Sequence, residues 1–144
     1  YQATNRERCA DINATDPHSK GGTLLHWAAR EYDPKFQEEM IRFLVENGAD
    51  VNAAAYDGRT PLCLLVKHHE LLVEKGADIN ATDKWGNTPL HVAHSLHQAK
   101  YLVLKGANVN AINKEGNTPL HLNTGIAKIL IRNGKNVEAP SFAF

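Results

Sequence analysis

The chain is poor in the residues from which catalytic and metal sites are most often assembled. Its 144 residues include only two cysteines, Cys9 and Cys63, and three serines, Ser19, Ser95 and Ser141. Two cysteines do not make a disulfide framework, and their scarcity predicts a reducing, intracellular (cytoplasmic) setting. They fall in different parts of the chain, whereas a disulfide needs Cα atoms within ~7 Å. No serine sits in a Gly-x-Ser-x-Gly turn, and no glycine-rich phosphate loop is present. No nucleophile, base and orienting group occur together, so the chain reads as a non-enzyme with no cofactor. An excess of charge is also missing: Lys+Arg and Asp+Glu both total 16, for a formal net charge of zero. That argues against nucleic acid and anionic membrane as partners, since both favour basic surfaces. No apolar run approaches the ~20 residues of a membrane span, and no signal-peptide pattern opens the chain. Its one methionine is Met40, which predicts a chain excised or processed from a longer one.

What the chain does have is repetition, the feature to test first because it decides the architecture. Four segments align: Thr23-Leu24-Leu25-His26, Thr60-Pro61-Leu62-Cys63, Thr88-Pro89-Leu90-His91 and Thr118-Pro119-Leu120-His121. Each leads to an apolar triplet, beginning at Phe43, Leu71, Tyr101 and Ile129, with a glycine three residues beyond it at 48, 76, 106 and 134. Then come Ala-Asp-Val-Asn (49–52), Ala-Asp-Ile-Asn (77–80), Ala-Asn-Val-Asn (107–110) and the divergent Lys-Asn-Val-Glu (135–138).

Each part has a mechanical reason. Threonine is a good helix N-cap, and proline after it occupies the first helical position, where its missing N–H costs nothing. Thr60-Pro61, Thr88-Pro89 and Thr118-Pro119 are therefore each expected to start a helix. The apolar triplets belong to a second helix, ended by a glycine in the left-handed conformation. The Asx-rich stretches that follow, such as Asn80 to Gly86, suit a turn. One unit is thus helix, turn, helix and an extended finger.

Thr-Pro-Leu-His and Gly-Ala-Asp-Val-Asn-Ala resemble the ankyrin repeat, over residues 9 to about 139, on the family's ~33-residue period. The resemblance implies an all-α solenoid of helix-turn-helix units joined by β-hairpin-like fingers. It divides a single domain, 1–144, into a preceding cap or repeat end with an inserted finger (1–22), repeats at 23–57, 58–85 and 86–115, and a fourth repeat with a tail (116–144).

The units are unequal. From the threonine to the triplet is 20, 11, 13 and 11 residues. The first is long, with Asp33-Pro34 as a fresh N-cap and first position for a helix of about four turns, at 3.6 residues per turn, through Asn47. Unit two has room between Cys63 and Lys75 for two stubby helices only, and short units are expected to bury less and alter the curvature. The first finger carries an insertion, Pro17-His18-Ser19-Lys20-Gly21, expected to be exposed and mobile. Cys9 replaces the usual glycine, residues 1–8 read as the end of a preceding helix, and the apolar Pro140–Phe144 resembles no polar cap. Both ends therefore look cut from a larger protein.

Eight histidines raise the question of a metal. His26, His91 and His121 share one place in their repeats, but stacked helices lie ~8–10 Å apart while zinc–histidine bonds are ~2 Å, so they do not converge on one ion. The resemblance makes them structural, bonded to backbone. His91, His94 and His97 lie three apart on one predicted helix, without a third ligand nearby, and no metal site is assigned. Asn13-Ala14-Thr15 and Asn80-Ala81-Thr82 match a glycosylation pattern, but the repeat itself explains them. Asn52, Asn80 and Asn110 resemble asparagines that hydroxylases modify in animal ankyrin repeats.

The resemblance also implies a binding surface of finger tips and a concave face. After the repeat histidine stand Trp27, Leu64, Val92 and Leu122, an expected apolar stripe. The tips offer Tyr56-Asp57, Lys84-Trp85 and Lys114-Glu115, and the enrichment of aromatics at hot spots places Trp27, Tyr56 and Trp85 first. The implied function is protein–protein interaction by a monomer with an unidentified protein partner, as part of a scaffold or host-targeting effector. A stand-alone inhibitor or immunity-type protein, and a substrate-recruiting module joined to a catalytic domain elsewhere, are the alternatives.

Overall fold

The computed structural model describes residues 11–122 and Ala127. The second helix expected around Ile129–Ile131, the helix end at 1–8, Cys9 and the Pro140–Phe144 tail lie outside the described residues. A 3-10 turn, Pro17–Ser19, is followed by α1 (Leu24–Ala29), α2 (Pro34–Glu46), α3 (Pro61–Leu64), α4 (His69–Glu74), α5 (Leu96–Leu104) and α6 (Pro119–Leu122).

Unit one follows its local code closely. Asp33 caps α2 by accepting from the amides of Lys35 and Phe36, with Pro34 behind it, and the helix runs 13 residues. At its end Gly48 takes φ +94°, and the amides of Gly48 and Ala49 return to the carbonyls of Val45 and Leu44. The 6→1 and 5→2 bonds of this left-handed stop satisfy carbonyls that the helix leaves open.

Unit two is as short as its spacing requires, with α3 of four residues and α4 of six. Unit three corrects the expectation of a helix from Thr88-Pro89. Residues 89–92 form a turn held by i→i−3 bonds, His91 N–H to Thr88 and Ala93 N–H to Leu90. Ser95 already caps α5 by accepting from the Gln98 amide, so too few residues remain between the two caps for a regular helix. It follows that His91, His94 and His97 do not share one helix; only His97 lies in α5.

The core is a file of leucines, one layer per unit: Leu25 and Leu44, Leu62 and Leu72, Leu90 and Leu102, each at most 5% exposed. Despite its short helices, unit two keeps Leu62, Leu65 and Leu72 fully buried. At roughly 1.5–3 kcal/mol for each fully buried aliphatic side chain, this file is the main favourable term.

Polar ladders connect the layers. The Asn13 side chain bonds the Gly48 carbonyl and the Asp50 amide. Asn52 does the same to Gly76 and Asp78, and Asn80 to Gly106 and Asn108. A second ladder runs through the histidines. The His26 Nδ1 accepts from the Thr23 amide at 3.1 Å, which leaves its Nε2–H to donate to the Arg59 carbonyl of the next finger at 2.8 Å. His91 repeats this with Thr88 and the Asn117 carbonyl. The threonine–histidine pair recurs at Thr118 and His121. In unit two, Cys63 takes a bond from Thr60 at 3.7 Å and reaches no finger.

Two predictions follow from these ladders. Replacing Cys63 by His should let an imidazole reach the Asn87 carbonyl and stabilise the chain by about 1 kcal/mol, read as a higher urea midpoint; a lower midpoint would mean the unit has closed too tightly around the thiol. The second concerns acid. Burial lowers the pKa of His26, His69 and His91 below 6.5, outweighing the backbone bonds at His26 and His91 and the neighbouring Glu70 at His69 that raise it. Stability is therefore fully present above pH 6.5 and is lost as pH falls from there through the folded-state values, because the unfolded chain binds protons first. The loss is at most about 1.4 kcal/mol per pH unit for each histidine. Thermal midpoints should be level above about pH 7 and decline towards about pH 5; a level profile throughout would contradict neutral burial.

Candidate protein-binding surface

The fingers stack through their backbones. Their closing bonds are Ala55 N–H to Arg59, Asp83 N–H to Asn87 and Asn113 N–H to Asn117, and each tip reaches its neighbour: Tyr56 N–H to Lys20, Lys84 N–H to Asp57, Lys114 N–H to Trp85. These are tight turns; among the described residues the only β pairing is an isolated bridge, Asp16 with Gly22. Gly58 shows why the fingers lie so close. A Cβ there would stand 2.9 Å from the Lys84 nitrogen, and its φ of +80° suits glycine alone.

In the inserted finger Pro17, His18 and Lys20 are exposed, as expected, but the segment is held by local bonds. Asp16 caps its 3-10 turn by accepting from the His18 amide. The Tyr56 ring lies directly over Gly21, which is buried. Tyr56 remains 68% exposed, so it holds the insertion with one part of its ring and faces solvent with the rest.

Trp85 is the most elaborated tip residue. The residue is 41% exposed, and its ring has the Lys84 ammonium 4.5 Å and the Arg59 guanidinium 5.3 Å from its centroid. Arg59 also stands 3.7 Å from Asp57 and 3.9 Å from Asp83. The Asp83 side chain is itself buried and accepts from the Trp85 and Asn87 amides, fixing the loop that carries the indole. The part of Arg59 had no counterpart in the repeat pattern; its signal was a cation immediately before a helix-capping threonine. Lys114 and Glu115 are exposed on the next tip, while Asp57 is half-buried.

The stripe divides in two. Trp27 at 53% and Leu122 are exposed, but Leu64 and Val92 are half-buried and Leu64 packs against the core. Unit length alone does not decide this, since Leu64 and Leu122 both end four-residue helices, α3 and α6, and only Leu122 is exposed.

Cys63 is buried beneath this surface. Burial pushes the Cys63 thiol up from its ordinary pKa, away from thiolate reactivity. Two glutamines unremarked in the repeat pattern act structurally. Gln37 donates to the carbonyls of Ala28, Ala29 and Glu31, and Gln98 donates to Leu65 across units. His69 is anomalous. It stands three residues before Leu72, where Ile41 precedes Leu44 and Ala99 precedes Leu102, and it is 2% exposed, with the Glu70 carboxylate 3.5 Å from its Nε2 and no hydrogen bond at Nδ1. Its ring meets those of His97 and Tyr101 edge-on, at 5.8 and 5.0 Å between centroids. Among the described residues, no three His, Cys, Asp or Glu side chains gather to hold a metal, and no helix is long and apolar enough to cross a membrane.

A search of curated proteins gives no match. A family model described as ankyrin repeats (3 copies) matches residues 4–83 and 67–141, nearly the whole length. With the leucine file, the threonine–histidine ladder and the stacked fingers, this match establishes that the chain belongs to the ankyrin-repeat family, typically non-catalytic modules of protein–protein interaction.

Proposed function

We propose that this chain binds a protein partner along its row of finger tips, with Trp85 as the anchor and Tyr56, Lys84, Lys114 and Glu115 around it. The supporting observation is the setting of Trp85: a half-exposed indole on a loop fixed by a buried aspartate, with two cations against its ring. A rigid aromatic costs little conformational entropy to bind, and such residues dominate interface energies. Trp27 extends the surface onto the concave face, whereas the half-buried Asp57, Leu64 and Val92 support it from behind.

On this reading the chain acts as a monomeric recognition region of a larger intracellular protein, a scaffold or a host-targeting effector. Its buried free thiol at Cys63 suits a reducing setting. The inhibitor and substrate-recruiting alternatives would use the same surface, and no particular observation favours either.

The test is affinity capture from the source cell with wild type and a Trp27→Ala/Trp85→Ala pair, followed by titration of what is retained. Trp85→Ala alone should weaken the partner by about 2 kcal/mol, some thirtyfold, with an unchanged circular dichroism spectrum. Equal retention by wild type and the double variant would remove the finger row as the binding surface.

A further inference from the structure

Among the described residues, the buried side-chain nitrogens and oxygens that lack a hydrogen bond all lie in one place. They are the His68 Nε2, both His69 nitrogens, a Glu70 carboxylate oxygen and the Tyr101 hydroxyl, where α4 meets α5. Burying a polar group without a partner costs stability and calls for an explanation. Elsewhere the buried polar side chains reach main-chain carbonyls, as His26, His91, Gln37 and Gln98 do.

α4 is also weakly built. The side chains of Asp33 and Ser95 cap α2 and α5, whereas α4 follows His68, whose side chain caps nothing. His68 is itself left-handed, at φ 59°, a strained conformation for a residue with a Cβ. Six residues are too few for a helix to persist alone. Two side chains of α4 are buried, Leu72 and His69, and the second puts an imidazole in the slot that Ile41 and Ala99 fill.

The surroundings of that ring oppose a charge on it. His97 and Tyr101 face it from α5, His68 adjoins it, and Glu70 lies 3.5 Å from its Nε2. Further out, Glu38 of α2 lies 4.0 Å from the His68 Nδ1, and Lys105 and Glu74 act on Tyr101. Lys67 lines the groove beside the ring. Burial, with His97 and His68, outweighs Glu70 and holds the His69 pKa below its ordinary 6.5. The finger row does not depend on α4, since Lys84 N–H to Asp57 and Lys114 N–H to Trp85 join the tips directly.

We propose that α4 opens locally, ahead of the rest of the array, and that protonation of the His69 imidazole drives it open. The joint between units two and three is then an acid-sensitive release point in a stack whose fingers stay in register. Opening hydrates the polar atoms that the closed joint leaves unbonded, and it withdraws Leu72 from the leucine file. Nearest-neighbour contacts pass that loss to units one and three. The closed joint is fully stabilised above pH 6.5 and weakens as pH falls from there, because the open imidazole takes up its proton first. The device is independent of the finger-tip reading and uses none of its residues.

Hydrogen exchange of the whole chain, read by mass spectrometry at about pH 7.5 and about pH 5.5 and corrected for the intrinsic effect of pH, tests this. Peptides covering α4 should be less protected than those covering α2 at both values. Their exchange should hardly respond to low urea, because a local opening exposes little surface. Protection of α4 should fall by more than about threefold between the two values, towards a limit of about tenfold for one imidazole. His69→Ile should raise the protection of α4 and remove its dependence on pH. The proposal is overturned if α4 and α2 share one urea dependence, if acid leaves the protection of α4 unchanged, or if His69→Ile keeps the acid response. Should that variant fail to fold, the urea and pH series on the unaltered chain still decides.

Discussion

The units of this chain are too small to bury their own apolar side chains, and the contact between neighbours is what the rest of the structure depends on. α3 and α4 together comprise only ten residues, four and six. Helices of that length are not stable in isolation. They persist because Leu62 and Leu72 lie between the leucine layers of the units before and after. The stack also dictates the polar chemistry. Carbonyls at Gly48, Gly76 and Gly106 each receive an asparagine from the preceding unit, and those at Arg59 and Asn117 receive a histidine. A nearest-neighbour array of this kind transmits an irregularity in one unit to the units on either side.

That transmission links fold to function here. The backbone bonds between tips set Tyr56, Trp85 and Glu115 on consecutive fingers. The regular residues provide a rigid row, leaving the irregular ones free to differ. Shortened unit two exposes Val66 and Lys67, and stretched unit one lifts Tyr32 clear of the core. Both irregularities alter surface while the leucine file continues beneath them.

The parts of the fold legible in the sequence were those with a one-residue cause. Asp33 and Pro34 announced α2, and glycines 48, 76 and 106 marked helix ends, because caps and left-handed stops act over a few bonds. The turn at residues 89–92 was not legible. Thr88-Pro89 is a sound helix start, but the rival cap at Ser95 left no length for it. Exposure along the stripe was not legible either, since Leu64 and Leu122 hold one repeat position at the end of four-residue helices and only Leu122 is exposed. His69 was partly legible, as a histidine in the slot that Ile41 and Ala99 fill elsewhere.

The sequence by itself determined the repeat, its family, the start of α2 at Asp33-Pro34 and the finger turns, since each rests on interactions within a few residues. Only the tertiary structure decided which side chains the stack would leave in solvent. It put Arg59 and Lys84 against the Trp85 ring, laid Tyr56 over Gly21, and packed the His69 ring against His97 and Tyr101. Except for the adjacent Lys84, those relations join residues distant in sequence. They are set by unequal unit lengths summed through the stack, which no single repeat encodes.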